Sequence, residues 1–497
     1  MAFAHNIPFI SIMMTILAGV ISLLTGKDKA ARICLGTLTA VALLSALLFA
    51  YLWQTGTSFT FSMGHFPAPW GNELQAGLFE ALMALTFTVV MILSLVAGRE
   101  RVVADIAPAR QGLYYLLCSL LTCSLLALVY TNDIFTAYVF VEINTLAACG
   151  IVAAKDTGET VTATIRYLIM SLLGSGLILI AISLLYAITG HLLMNDLLGS
   201  MTELAASGDY AMPCMVIMLF LAIGLAIKSA LFPFHTWLPA AHGSATAASS
   251  AILSGVVLKG YIILLLKIFY RVFGLSFAHD LRVADLLFVF GLLGMIMGSI
   301  FAVREKNLKR MLAYSSVAQV GYIFMGIGLS TAIGMVAACF HILAHAITKP
   351  LLFLAADGLM DVSGHSKNIF NMQGAGRRNI LAGIAFTVGA LSMIGIPMFS
   401  GFVSKFYFVQ GSFQNPDKML ATLIVLALST VLNAMYYLPV LVTLYLGNDE
   451  NSPHRHRKSA NSRNYKKAMV AFILLNFILG MFYEPVIKAL EQGLLML

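Results

Sequence analysis

The chain has 497 residues, of which 60% are hydrophobic and only 10% are charged, with a net charge of +8 and a mean hydropathy of +0.90. A soluble domain carries roughly a quarter charged residues, so this composition excludes a water-soluble protein and describes a polytopic membrane protein with almost no extramembrane domain. Apolar runs of about 20 residues or longer also exclude a transmembrane β-barrel, whose strands need only about 10.

Fourteen spans are expected, at about 6–25, 31–53, 76–98, 111–130, 133–154, 164–189, 211–240, 244–271, 284–303, 308–329, 331–359, 379–412, 419–446 and 468–489. The first is long and is followed by many more, so it reads as a retained span and not a cleaved signal. The third carries Glu80 in QAGLFEALMAL, a shallow carboxylate that is open between function and helix packing. The fifth carries Glu142 in FTAYVFVEINTLAACG, nine residues beyond Asp133 and so roughly 14 Å along the helix, near mid-bilayer.

The seventh, IGLAIKSALFPFHTWLPAAH from Ile223 to His242, places Lys228, Pro233, His235 and His242 in an apolar region and is expected to break at Pro233. Lys259 lies mid-span in the eighth, in ILSGVVLKGY. His341, His345 and Lys349 recur every four residues in FHILAHAITKPLLFL and share one helix face. The overlong twelfth span is expected to break at Pro397, with Lys405 just beyond in MIGIPMFSGFVSKF. Discontinuous helices are tolerated at depth only inside protein or against a wet cavity.

Lysine and arginine set the orientation. Alternate loops carry 21 of the 30, the opposite loops and C-terminus carry four (Arg271, Arg282, Lys418, Lys488), and five lie within spans. The positive-inside rule then puts both termini on the non-cytoplasmic side of the inner, cytoplasmic membrane. The run His454–Lys458 reads as a cytoplasmic loop touching anionic lipid head groups, not as a nucleic-acid site. The two expected breaks stand five spans apart, and five is odd. This spacing predicts an N-terminal unit at 1–110, a five-helix repeat at 111–272, an inverted five-helix repeat at 273–446, and a cytoplasmic loop with a final helix at 447–497.

A charge at membrane depth costs several kcal/mol and marks a functional or paired group. Lys267, near a span end, reads as a snorkelling lysine. Glu142, Lys228, Lys259 and Lys405 do not, and a structural hydrogen-bonding role stays open for His341 and His345. Removal from water lowers a lysine's proton affinity and a nearby carboxylate restores it, so a movable Glu142–Lys228 pair is a switchable proton site. Histidines titrate near neutrality and suit a relay. The six scattered cysteines (Cys34, Cys118, Cys123, Cys149, Cys214, Cys339) have no metal-ligand spacing, and the 26 methionines read as packing residues. No nucleotide loop or flavin fingerprint is present, so no cofactor is expected in this chain.

These motifs give the chain a family likeness. VFVEINTLAACG, IKSALFPFHTWLPAAH, LSGVVLKG, FHILAHAITKPLLF and GIPMFSGFVSKF together resemble the antiporter-like membrane subunits of respiratory complex I, Mrp-type cation/proton antiporters and membrane-bound hydrogenases. The resemblance implies an all-α fold of fourteen helices with two inverted five-helix repeats at helices 4–8 and 9–13, each with one discontinuous helix. It implies that Glu142 pairs with Lys228, that Lys259 links the halves, that His341, His345 and Lys349 continue the route, and that Lys405 ends it. His235 and His242 would line the cytoplasmic approach or merely cap a helix.

It further implies other antiporter-like and small membrane subunits as partners, with a peripheral redox arm where the parent is an oxidoreductase. Lys405 and the chain length look more like the Mrp D-type and hydrogenase-associated subunits. Two departures stand out: Ala245 occupies a position that is proline in many members, and no long lateral helix is expected after the last span. The leading expectation is proton translocation, with or without exchange for Na⁺. The alternatives are a scaffold subunit, a lone antiporter and, least supported, a quinone reductase.

Overall fold

Apolar segments bounded by caps and prolines dictate the element order of this computed structural model, which describes residues 2–66, 71–208, 210–446 and 461–497. The expected loop at 447–460, including His454–Lys458, lies outside the described residues. Helices α1 (Ala2–Leu24) and α2 (Lys27–Thr55) are followed by a two-stranded antiparallel sheet, β1 (Phe59–Ser62) and β2 (Glu73–Ala76), with Phe59 opposite Ala76. Then come α3 (Leu78–Asp105), α4 (Pro108–Tyr130), α5 (Ile134–Ala153), α6 (Gly158–Thr189), α7 (Met194–Ser207) and α8 (Ala211–Lys228). The Asp133 side chain accepts from Thr136 N to start α5, and Thr157 with Thr160 closes a capping box at α6.

Beyond α8 the chain turns through Ala230 (φ 57°) and Pro233 into a short 3₁₀ segment, Phe234–Trp237. It continues as α9 (Leu238–Ser244), α10 (Ala247–Ile252), a π-helical stretch at Leu253–Val257 and α11 (Leu258–Arg271). The second half holds α12 (Leu275–Asp280), α13 (Val283–Arg304), α14 (Leu308–Gly328), α15 (Ala332–Asp361), α16 (Ala375–Arg378), α17 (Ile380–Ile394), α18 (Ser400–Ser412), α19 (Pro416–Tyr445), α20 (Arg463–Met481) and α21 (Glu484–Leu495).

Among the described residues, twelve helices are individually long and apolar enough to cross a membrane, and thirteen when α20 and α21 count as one bent pair. The chain is a multi-pass all-α membrane protein. Burial identifies the centre: the most apolar windows of α15 and of the 247–271 segment are wholly buried, whereas only 28% of those of α2 and α19 is buried. Lys259, His341, His345 and Lys349 lie on these two wholly buried segments.

The region 379–412 breaks beside Pro397, as expected, into two short helices, α17 of 15 residues and α18 of 13, parted at Gly395 (φ 94°) and Met398 (φ 77°). Three other features differ from expectation. The last segment is not one straight span but bends by 76° between α20 and α21, where Pro485 opens the new helix. The β1–β2 sheet and the amphipathic α7 occupy stretches expected as plain loops; four-residue strands and a three-residue apolar stripe (Met194, Leu197, Met201) are too short to read as periodic. Finally, Lys267 and Arg271 do not reach the surface and are buried.

Candidate functional site

One close helix crossing prepares the first charged pair. Gly174 of α6 and Gly224 of α8 meet so tightly that a Cβ on Gly174 would lie 2.8 Å from Gly224 O and 3.3 Å from Lys228 Cγ. This approach brings the last residue of α8, Lys228, under α5. Its Nζ lies 3.4 Å from Glu142 Oε1 and donates to Thr145 Oγ1 at 2.7 Å. The Ser175 hydroxyl of α6 donates to Glu142 Oε1 as well. Thr145 Oγ1 and the Tyr261 hydroxyl are 3.2 Å apart, and the Tyr261 ring centroid lies 5.6 Å from the ammonium. Lys228 is fully buried, but the Glu142 side chain is 25% exposed, so the carboxylate faces the flank of the bundle.

Asn144, two residues beyond Glu142, points inward. A Cβ on Gly260 would lie 3.8 Å from its amide nitrogen, which puts the amide beside the residue following Lys259. Both polar atoms of Asn144 lack a protein partner among the described residues.

Lys259 is fully buried at the start of α11, and its ammonium donates to the Ser254 carbonyl within the π-helical stretch. Single π turns concentrate at functional positions because they free and re-aim groups of the helix. The Ser254 and Ser316 hydroxyls are 2.9 Å apart; Ser316 donates to Leu312 O at 3.1 Å, and Lys349 Nζ donates to the same carbonyl at 3.0 Å. Two buried lysines are thus joined through two serines and one carbonyl of α14.

The α15 face runs as expected. The His341 and His345 rings are parallel with centroids 6.2 Å apart. His341 Nδ1 is 2.8 Å from Ser404 Oγ of α18, whereas His341 Nε2 and both nitrogens of His345 have no protein partner among the described residues. Lys405 donates to Ile394 O at 2.7 Å and Thr430 Oγ1 at 3.0 Å, with its ammonium 5.2 Å from the Tyr322 ring centroid. Gly395 makes room for it: a Cβ there would stand 2.8 Å from Lys405 Cδ, in a left-handed backbone that glycine adopts at no steric cost.

His242 is buried against the Phe353 ring (centroids 4.6 Å apart) and His235 stacks on Phe232 and Phe301; among the described residues both ring nitrogens of His242 and Nδ1 of His235 are unpartnered. Above the α9–α10 junction lies a charged well of about 220 Å³ bordered by Arg101, Asp105, Lys155, Lys309, Asp357 and Lys367. Ser244, Ala245 and Ala247, close in sequence to His242, also line it, and Lys309 Nζ donates to Ala245 O at 2.5 Å. Arg101 bridges Asp357 and Asp361, each at 2.9 Å.

Glu80 stands apart. Its Oε1 pairs with Arg271 at 2.6 Å, its Oε2 accepts from Gly77 N at 3.0 Å, and both partners are 1% exposed. Lys267 donates to Val129 O (2.9 Å) and Thr131 O, filling the carbonyl end of α4 as a cation does at a helix C-terminus. Neither residue touches the row from Glu142 to Lys405.

Sequence reasoning missed the hydroxyls that hold the row: Thr145, Ser175, Ser254, Ser316, Ser404, Thr430, Tyr261 and Tyr437, the last 3.4 Å from Lys349 Nζ. Some were findable, because Thr145 is three residues from Glu142 on its helix face and Ser404 adjoins Lys405. Ser316, Thr430 and Tyr437 carry no such local signal.

Fold and site together define a class: a multi-pass membrane protein with ionisable side chains gathered inside the bundle at its helix breaks. The chain belongs to the NADH:quinone oxidoreductase/Mrp antiporter transmembrane family, whose profile matches residues 131–432, more than half of it. It is 32% identical to the N-type subunit of the NADH-quinone oxidoreductase of Desulforudis audaxviator, over 91% of this chain and 89% of that protein. It is 26% identical to the D-type subunit of the Na⁺/H⁺ antiporter of Bacillus subtilis, over 98% and 96%. Among solved structures, a chain of the membrane-bound sulfane sulfur reductase, an archaeal respiratory membrane complex, superposes with a TM-score of 0.86 at 25% identity, covering 100% of this chain and 97% of that one. A chain of the Mrp complex from Dietzia sp. DQ12-45-1b shares the fold, with a TM-score of 0.88 at 22% identity and coverage of 99% and 97%.

Proposed function

We propose that the chain is the proton-translocating, antiporter-like subunit of a multisubunit membrane complex. The observation that carries this reading is the row itself: Glu142–Lys228, then Lys259, Lys349 with His345 and His341, then Lys405. Along it lie buried polar atoms of Asn144, His341 and His345 that have no protein partner among the described residues. Buried polar groups left unpaired by protein are satisfied by water, and water between titratable groups carries protons.

In the proposed cycle the Glu142 carboxylate holds a proton on Lys228. When the pair separates, the ammonium loses its counter-charge and passes the proton toward Lys259, and the sequence repeats to Lys405. The charged well over the α9–α10 junction is the mouth on the basic-loop side, with His242 beneath it and His235 beside it. Pro233 and Pro397 mark the breaks that free backbone groups at depth. If α17 and α18 form one broken span, fourteen spans result, both termini lie outside, and the breaks of 111–272 and 273–446 fall at equivalent places in two inverted repeats.

Membership of the family, and the complexes in which its relatives sit, support other membrane subunits as partners; a redox arm is part of the proposal only where the parent complex is an oxidoreductase. Glu142→Gln in the reconstituted complex is expected to remove proton movement while assembly is retained, and full transport by this variant would refute the reading. Exchange for Na⁺ follows the D-type relatives' name and is tested separately, by the dependence of proton efflux on opposing Na⁺.

A further inference from the structure

Between Lys349 and Lys405 the described structure holds a second polar connection, on α14 and α19, away from the histidine face. Lys349 Nζ is 3.4 Å from the Tyr437 hydroxyl, which is 3.0 Å from Ser315 Oγ. The Tyr436 hydroxyl is 2.9 Å from the same Ser315 Oγ and donates to Asn433 Oδ1 at 2.8 Å. Ser299 also donates to Asn433 Oδ1, at 3.3 Å. The Tyr322 hydroxyl, adjoining Asn433 and Thr430, donates to Ser429 Oγ at 2.9 Å, and Thr430 receives the Lys405 ammonium. Tyr437, Tyr436, Ser315, Asn433, Ser429 and Tyr322 are all buried. Each of their side-chain polar atoms has a partner, in contrast to the three unpartnered nitrogens of His341 and His345.

We propose that this hydroxyl chain is a second proton branch, parallel to the histidine face, from Lys349 to Lys405. The inference rests on the proposed function. A hydroxyl both donates and accepts, so a chain of them passes a proton without a charged intermediate at any one oxygen. Lys349 loses an N–H proton to Tyr437 O as Tyr437 gives its own to Ser315 Oγ, and Ser315 gives its own to Tyr436. An amide does not both take and give a proton in such a hop. The step past Asn433 is therefore made by a water molecule recruited between the Tyr436 and Tyr322 hydroxyls, with Asn433 Oδ1 as its anchor. Tyr436 gives its proton to this water, the water gives one to Tyr322 O as Tyr322 gives its own to Thr430 Oγ1, and Thr430 gives its own to a neutral Lys405 amine. One positive charge leaves Lys349 and one arrives at Lys405; only N–H and O–H bonds are made and broken.

The competing role is adhesion, since hydroxyls and amides between membrane helices also hold them together. The two roles separate in the assembled complex reconstituted in proteoliposomes, by comparing Tyr437→Phe, Ser315→Ala and His345→Ala with Tyr437→Phe/His345→Ala, and Glu142→Gln as the reference for no flux. Tyr437→Phe and Ser315→Ala are each expected to lower proton flux by about two- to fivefold with unchanged assembly yield, and the double variant to fall to the Glu142→Gln level, because it closes both parallel routes while each single variant leaves one open. A double variant that transports like His345→Ala alone overturns the branch, as does a loss in Tyr437→Phe and Ser315→Ala that tracks lost assembly. If Glu142→Gln itself transports fully, it is the proposed function that fails.

Discussion

Glu80 and Glu142 are both carboxylates facing a cation in apolar surroundings, and their settings make opposite demands. Glu80 meets Arg271 at 2.6 Å, with its other oxygen on Gly77 N, and the guanidinium also donates to Leu497 O at 3.0 Å. Every partner there is fixed. Glu142 meets Lys228 at 3.4 Å, is partly exposed, and competes with Thr145, which already takes the ammonium at 2.7 Å. A lysine with two acceptors can leave one of them. Breaking a buried pair by neutralising one partner strands the other charge, at a cost of about 3–5 kcal/mol. Glu80→Gln is therefore expected to lower the unfolding midpoint of the detergent-solubilised protein markedly, whereas Glu142→Gln leaves it near wild type and removes transport. Equal midpoints for the two variants would show that the Glu80 pair is as dispensable to the fold as the Glu142 pair.

At the scale of elements, the site depends on how closely helices cross. α8 delivers Lys228 only because Gly224 and Gly174 let it lie against α6; a Cβ on Gly224 would meet Gly174 O at 2.7 Å and Ile178 Cγ1 at 2.6 Å. Added bulk in a packed contact costs about 1–3 kcal/mol and shifts backbone. Gly224→Val is expected to assemble at reduced yield and to lose more transport than yield, because parting α6 from α8 also carries Ser175, and with it Glu142, away from Lys228. Transport per assembled complex equal to wild type would refute this. Helix existence was legible throughout from apolar run length, and the break after Lys228 from its prolines. The bend at 481–484, the sheet at 59–76 and the amphipathic α7 were not, because each is set by a few residues whose partners are distant in sequence. Asn132 N, for example, donates to Glu73 O across 59 positions.

For the whole molecule, the sequence disclosed the charged residues of the row but not what ties them together. Charge at membrane depth is costly enough to be conspicuous, while the serines, threonines and tyrosines that relay between charges look like any helix surface. Lys267 shows the opposite error: its place near a span end suggested snorkelling, but its acceptors are carbonyls of α4 brought over by tertiary packing. The proposed direction of the row also depends on the side to which the charged well opens, and this can be measured without touching the site. All six cysteines are buried, so the wild-type chain offers no ready thiol to a membrane-impermeant maleimide. Glu159, 75% exposed, marks the face of the basic loops, and Asp280, 76% exposed, marks the opposite one. In sealed right-side-out vesicles Asp280→Cys is expected to label and Glu159→Cys to stay silent until the membrane is permeabilised, with inverted vesicles giving the reverse. Labelling of Glu159→Cys from outside would invert the topology, turn the well above His242 toward the exterior, and make it a site of proton release in place of uptake.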